Sequence, residues 1–149
     1  MQLKEFWVNR FNFTTMLKDI PQLKVVDVAV AIIPEKNELE QEVWNAYIVN
    51  LKDELIEGVL VTSRGYGEIK GENVKTSTLR HFLDEVEPNS FKLIEPIITD
   101  VLELSNEYWV SFYHHSKIFD RKYLFVPGSI KEELFTQIPL INKSGVMIK

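Results

Sequence analysis

The amino-acid sequence predicts an all-β fold: an antiparallel β-sandwich of about seven strands, with one short helix before it and another near its end. Three observations carry this expectation. Apolar residues alternate with period two along most of the chain after Pro21. Turn formers punctuate that alternation at Pro34, at Lys52-Asp53-Glu54, from Gly65 to Gly71, at Pro88-Asn89 and at Pro127-Gly128. No strand–helix–strand rhythm is present, which disfavours a doubly wound α/β fold. The 149 residues fit one domain, and 45% hydrophobic with 26% charged residues is an ordinary globular balance.

Residues 1–21 read as a unit apart. Leu3, Phe6, Trp7, Phe11, Leu17 and Ile20 recur at roughly helical spacing, and Pro21 stops the run. Residues 22–149 read as the sandwich domain. Its first strand is residues 25–33, with Val26, Val28, Val30 and Ile32 on one face and Ala29 and Ala31 on the other, so both faces are expected to be covered. Pro34 is expected to end it, and the acidic residues 35–42 to form a loop. Residues 43–51 and 55–64 read as an antiparallel hairpin around Lys52-Asp53-Glu54.

Gly65, Gly67 and Gly71 mark a loop running to Asn73. Residues 74–83 and 91–97 are the fourth and fifth strands, separated by the turn Glu87-Pro88-Asn89-Ser90, and Pro96 argues for a sheet edge or a strand end. Residues 107–115 and 118–126 pair around Ser116-Lys117. Ser129-Ile130-Lys131-Glu132 has the form of a capping box and predicts a short helix near Phe135, stopped by Pro139; residues 140–148 add a strand. Trp44 and Trp109 lie in strands that are apolar on both faces, so both are expected in the core. Truncating Trp109 to Ala is then expected to cost about 3–5 kcal/mol.

Composition removes several classes of function. There is no cysteine, hence no disulfide framework, thiol nucleophile or thiolate metal site. The N-terminus lacks the apolar core of a secretory signal, and no apolar run approaches the ~18 residues of a membrane span, so the expected location is the cytoplasm. A net charge of −5 without a Lys/Arg-rich segment argues against nucleic acid as a partner.

The segments that invite a chemical reading are few. Gly65-Tyr66-Gly67-Glu68-Ile69-Lys70-Gly71 lacks the P-loop Lys-Ser/Thr and the following helix, so it reads as a hairpin loop. His114 and His115 are adjacent on a strand and are expected to diverge to opposite faces, which would leave them unable to share a metal; His81 is distant in sequence. The carboxylate runs at Glu35, Glu38, Glu40 and Glu42 and at Asp84, Glu85 and Glu87 lack the spacing of a calcium loop. No serine sits in a nucleophile elbow. The sequence therefore assigns no catalytic residue, no metal ligands and no cofactor. The aromatic cluster Phe6, Trp7, Phe11 and Phe13 either packs on the chain's own sandwich or is the candidate binding element, for a protein partner or for self-association as a homodimer.

Two resemblances add to this reading. Glu107-Tyr108-Trp109-Val110 resembles the penultimate strand of immunoglobulin-like sandwiches, with Tyr108 where their tyrosine corner would sit. The passages Val28-Ala29-Val30-Ala31-Ile32-Ile33-Pro34-Glu35, Trp44-Asn45-Ala46-Tyr47-Ile48-Val49-Asn50, Lys75-Thr76-Ser77-Thr78-Leu79-Arg80-His81 and Gly145-Val146-Met147 resemble a small bacterial family of similar length. Its members are sometimes labelled phenylalanyl-tRNA synthetase subunits. The chain has no match to the two arginine motifs of a class II synthetase core, so this resemblance implies an accessory domain in tRNA aminoacylation, and it implies no site residues. From the residues themselves the expected function is a non-catalytic binding or protein-interaction module, with a small-ligand enzyme using His81 or His114 as the alternative.

Overall fold

The computed structural model describes residues 23–149. The expected N-terminal helix and the aromatic residues Phe6, Trp7, Phe11 and Phe13 fall outside the described residues. The described residues form a mostly β structure of ten strands in two antiparallel sheets: β1 Val28–Lys36, β2 Glu42–Asn50, β3 Ile56–Ile69, β4 Glu72–Lys75, β5 Leu79–Val86, β6 Ser90–Ile97, β7 Ser105–His114, β8 Lys117–Phe125, β9 Thr136–Ile138 and β10 Lys143–Ile148. The first sheet has the order β6-β2-β1-β10-β9. The second has the order β4-β3-β7-β8, with β5 also pairing β3.

Period-two alternation builds the core between the sheets. Val28, Val30 and Ile32 of β1 and Ala46 and Ile48 of β2 face Val59 and Val61 of β3 and Val110 and Phe112 of β7, all fully or almost fully buried. As expected, β1 is covered on both faces. Ala29, Ala31, Ile33 and Val49 form a second cluster with Ile138, closed by Leu140 and Ile141. Gly145 of β10 lies so close to β1 that a Cβ there would stand 2.5 Å from the Ile32 carbonyl oxygen, which explains a glycine inside a strand.

Several expectations need correction. Pro34 does not end β1: the strand continues to Lys36 and hairpins directly into β2, Pro34 opposite Trp44. Pairing of β1 with β10 covers only Val30 to Ile32, so no ladder donor is missed at Pro34 on that side. β2 and β3 are not a hairpin but belong to different sheets. The crossing link is held by Asn50, fully buried, whose Nδ2 donates to the carbonyls of Glu54 (2.9 Å), Val86 (3.2 Å) and Glu87 (3.1 Å) while Oδ1 accepts from the Lys52 N–H (3.0 Å). Gly65 and Gly67 lie within β3 rather than in a loop, and the turn comes after them at Lys70-Gly71, before β4. The expected fourth strand is two strands, β4 and β5.

The capping box is not used either. Ser129 Oγ donates back to the Val126 carbonyl, and the expected helix is a single 3-10 turn at Glu132–Leu134. So short a segment cannot repay helix nucleation. Trp109 is 48% exposed on the outer face of β7, and Trp44 is only part-buried, edge-on to Phe135. The core aromatics of the second sheet are instead Tyr108, Phe112 and Tyr123.

Candidate functional site

A cavity of about 230 Å³ opens on the side of the sandwich where the edge strand β6 of one sheet faces β5 of the other. Its floor is polar. Ser63 of β3 and Tyr108 of β7 line it, and they and His81 of β5, which is not part of the lining, point inward by strand alternation, paired with or neighbouring core valines. Glu95 reaches them from β6 because of a bulge: the β2–β6 register slips between Ala46 and Tyr47, so Leu93 opposes Tyr47 while Glu95 opposes Ala46. Ile94 and Glu95 thereby both face the interior, a re-aiming of a side chain that bulges commonly achieve. Sequence reasoning singles out His81 but not its partner. The bulge carries no residue signature, and regular alternation does not place Ile94 and Glu95 on one face.

Glu95 is the hub. Its Oε1 accepts from Ser63 Oγ at 2.7 Å and lies 2.7 Å from His81 Nε2; its Oε2 accepts from Tyr108 OH at 3.2 Å. Facing a carboxylate, Nε2 of His81 is the donor, which leaves Nδ1 of the ring uncommitted to Glu95. The Glu95 side chain is 14% exposed and that of His81 26%, so the pair is sheltered yet reachable. Burial and the neighbouring carboxylate push the Tyr108 hydroxyl far above its ordinary pKa, so it stays a donor at any physiological pH. The hydroxyl of Tyr108 meets this side chain and not a backbone group.

Leu79, Pro96, Ile97, Ile98 and Val101 give apolar walls, and Arg64, whose guanidinium pairs with Glu107, and Ser77 also line the cavity. The rim is pinned by Thr76, whose Oγ1 accepts from the Gly65 N–H at 2.8 Å, and by Asn106, whose Nδ2 donates to the carbonyls of Val101 (2.9 Å) and Leu104 (3.1 Å).

Ser63, His81 and Glu95 are triad residue types in a non-triad order. In a nucleophilic triad the imidazole stands between the hydroxyl and the carboxylate. Here the carboxylate stands between, and Ser63 donates to Glu95, not to His81. The arrangement fixes a carboxylate; it does not activate a serine. Among the described residues, Oε2 of Glu95 accepts a single bond, so acceptor capacity remains at the floor of the cavity.

Two further places carry surface chemistry. The outer face of the second sheet exposes Leu60, Phe82, Trp109, Tyr113, Ile118 and Leu124 among the described residues. They are in register across the strands: Phe82, Leu60, Ser111 and Asp120 form one row, Arg80, Thr62, Trp109 and Lys122 the next. Glu107 is buried within this face and accepts from Arg64 Nε (3.0 Å) and Tyr66 OH (3.1 Å).

At the tip of β7 and β8, His114 and His115 do not diverge. The strand ends at His114, and His115 and Ser116 take φ of 54° and 61°. This two-residue turn brings both rings onto Glu54, at 3.0 Å and 3.1 Å. Alternation does not apply to a left-handed residue, which is why the expected divergence does not occur.

The chain matches no protein-family model and no curated protein. Among the described residues, no helix is long and apolar enough to cross a membrane.

Proposed function

We propose that this chain is a non-catalytic binding module, an immunoglobulin-like sandwich whose lateral cavity takes a small ligand bearing a hydrogen-bond donor, preferably a cationic amine or amidine, on an apolar body. The observation that carries the reading is the Glu95 carboxylate, held by Ser63, His81 and Tyr108 at the floor of an apolar-walled cavity with acceptor capacity to spare. A few convergent polar groups inside apolar walls are the usual make-up of a small-molecule site. The order Ser63–Glu95–His81 favours binding over nucleophilic catalysis, because the hydroxyl meets a carboxylate already shared with His81 and Tyr108 and not an imidazole base.

The test is a ligand-observed NMR screen of the full chain against small alkyl and aryl amines, amidines and matched neutral alcohols. Amines or amidines should bind saturably. Glu95→Gln, which keeps the side chain's size and removes its charge, should weaken them by roughly ten- to a hundredfold, the worth of a hydrogen bond to a charged group. Binding that is unchanged in Glu95→Gln, or no binding from any probe class, would defeat the proposal.

A second reading is favoured by a separate observation, the exposed outer face of the second sheet. It is self-association of two copies through that face. Arg80 and Lys122 stand beside Glu57 and Asp120 around Phe82, Trp109, Tyr113 and Ile118, so a two-fold pairing can oppose unlike charges around an apolar centre. Sedimentation of the wild type and of Trp109→Ser with Phe82→Ser tests it. A dimer converted to monomer supports it, and a monomeric wild type overturns it.

A further inference from the structure

We propose that Glu54, His114 and His115 form a binding site for one divalent transition-metal ion. The site begins with the backbone. The turn joining β7 to β8 has only two residues, and both are left-handed, with His114 and Lys117 as the closing pair. Such turns ordinarily take Asn or Gly, because a residue with a Cβ pays about 1–2 kcal/mol in that conformation. Here the positions are His115 and Ser116. A non-glycine residue held left-handed is a reason to ask what its side chain does.

What it does is join its neighbour. The rings of His114 and His115 stand 4.0 Å apart between centroids, tilted by 48°. The Nε2 atoms of both converge on the carboxylate of Glu54, at 3.0 Å for His114 and 3.1 Å for His115. All three residues offer a ligand atom within 4.8 Å of the other two. Two ligand atoms each about 2.1 Å from a metal lie about 3.0 Å apart at a right angle and about 3.4 Å apart at the tetrahedral angle. The separations of Glu54 from each histidine fall in that range before any ion is considered.

The three ligands are held by different means. His114 is the packed one: its side chain is 12% exposed and its ring lies 6.0 Å from that of Phe119. Glu54 sits on the link between the sheets, and its backbone carbonyl is gripped by Asn50. The side chains of His115 and Glu54 are 66% and 49% exposed, leaving an open path for an ion and for waters in the remaining coordination positions.

Two imidazoles and one carboxylate, with no thiolate, suit zinc, cobalt, nickel or copper and not calcium or magnesium. An ion there would join the β2–β3 crossing to the β7–β8 tip, and so would tie the link from the first sheet to a hairpin of the second.

The experiment uses the full chain without an affinity tag, stripped by chelator and titrated with Zn²⁺ by calorimetry and with Co²⁺ by visible absorption. One saturating ion per chain and a raised melting temperature are expected. His115→Ala and Glu54→Gln, both at exposed side chains, should each weaken binding by more than about tenfold, since even changes outside the ligand set cost that much. His81→Ala should leave it unchanged. Absence of saturable uptake, or uptake that survives both His115→Ala and Glu54→Gln, would overturn the proposal.

Discussion

Asn50→Ala should be among the most damaging single changes in the chain. Asn50 is fully buried and satisfies four backbone groups: the carbonyls of Glu54, Val86 and Glu87 and the N–H of Lys52. The Val86 carbonyl is the most deeply placed, on a residue 1% exposed, so its loss of a partner incurs the full desolvation penalty of ~1–3 kcal/mol. The other three groups lie nearer solvent, and losing a satisfied hydrogen bond there costs about 0.5–1.5 kcal/mol each at most, less where water enters. The expected total is about 3–5 kcal/mol, at the upper end of single-site effects. Asn50→Asp should be worse than Asn50→Ala, because it replaces the donor with a charged acceptor facing three carbonyls. Urea unfolding followed by circular dichroism, with thermal melting as a second probe, measures both. A loss under about 1 kcal/mol for Asn50→Ala, or an Asp variant more stable than the Ala variant, would show that the link does not depend on this side chain.

Trp109→Ala should cost about 1 kcal/mol or less, since half the ring is exposed, whereas Phe112→Ala, at a side chain 1% exposed and stacked on Phe119, should cost about 3–5 kcal/mol; urea denaturation of the pair reads the contrast. Burial alone would raise the Glu35 carboxyl, but hydrogen bonds from Lys143, Tyr47 and Asn45 outweigh it and hold its pKa below the ordinary 4.5. Its contribution to stability is therefore fully present above pH 4.5 and is lost as pH falls through the depressed value; an acid denaturation curve of Glu35→Gln should be flatter than wild type in that window.

Alternation and turn chemistry make several features legible: the two-sided burial of β1, the edge position of β6 with its Pro96, the strong β7–β8 pair and the turn at residues 87–90. The features that stay hidden lie where alternation breaks. Which strand β2 pairs with is a contest between two polar connections, and the Asn37 turn prevails: its Oδ1 accepts from the N–H groups of Leu39 and Gln41 and closes the β1–β2 hairpin. Glu95 enters the cavity through a bulge, and His115 meets His114 through a left-handed turn. Trp109 reads as core because its strand looks apolar on both faces, while only the face of Tyr108, Val110 and Phe112 meets the other sheet. Glu95 and His115 both sit at such irregular points, where strand periodicity does not fix the direction of a side chain.

The cavity and the histidine tip should also be energetically independent. Tyr108 at the cavity floor and His114 at the tip are six residues apart on one strand, which at a strand rise of about 3.3 Å per residue is roughly 20 Å. They share no hydrogen-bond partner: Tyr108 uses Glu95 and His114 uses Glu54. Changes farther apart than about 7–10 Å without a shared partner add to within ~0.5 kcal/mol. The stability loss of Glu95→Gln with His115→Ala should therefore equal the sum of the two single losses within that margin. In the same variants Glu95→Gln should leave Zn²⁺ affinity unchanged, and His115→Ala should leave amine affinity unchanged. An interaction larger than about 1 kcal/mol would mean that β7 transmits strain between its ends, and the two sites would then have to be treated as one coupled device.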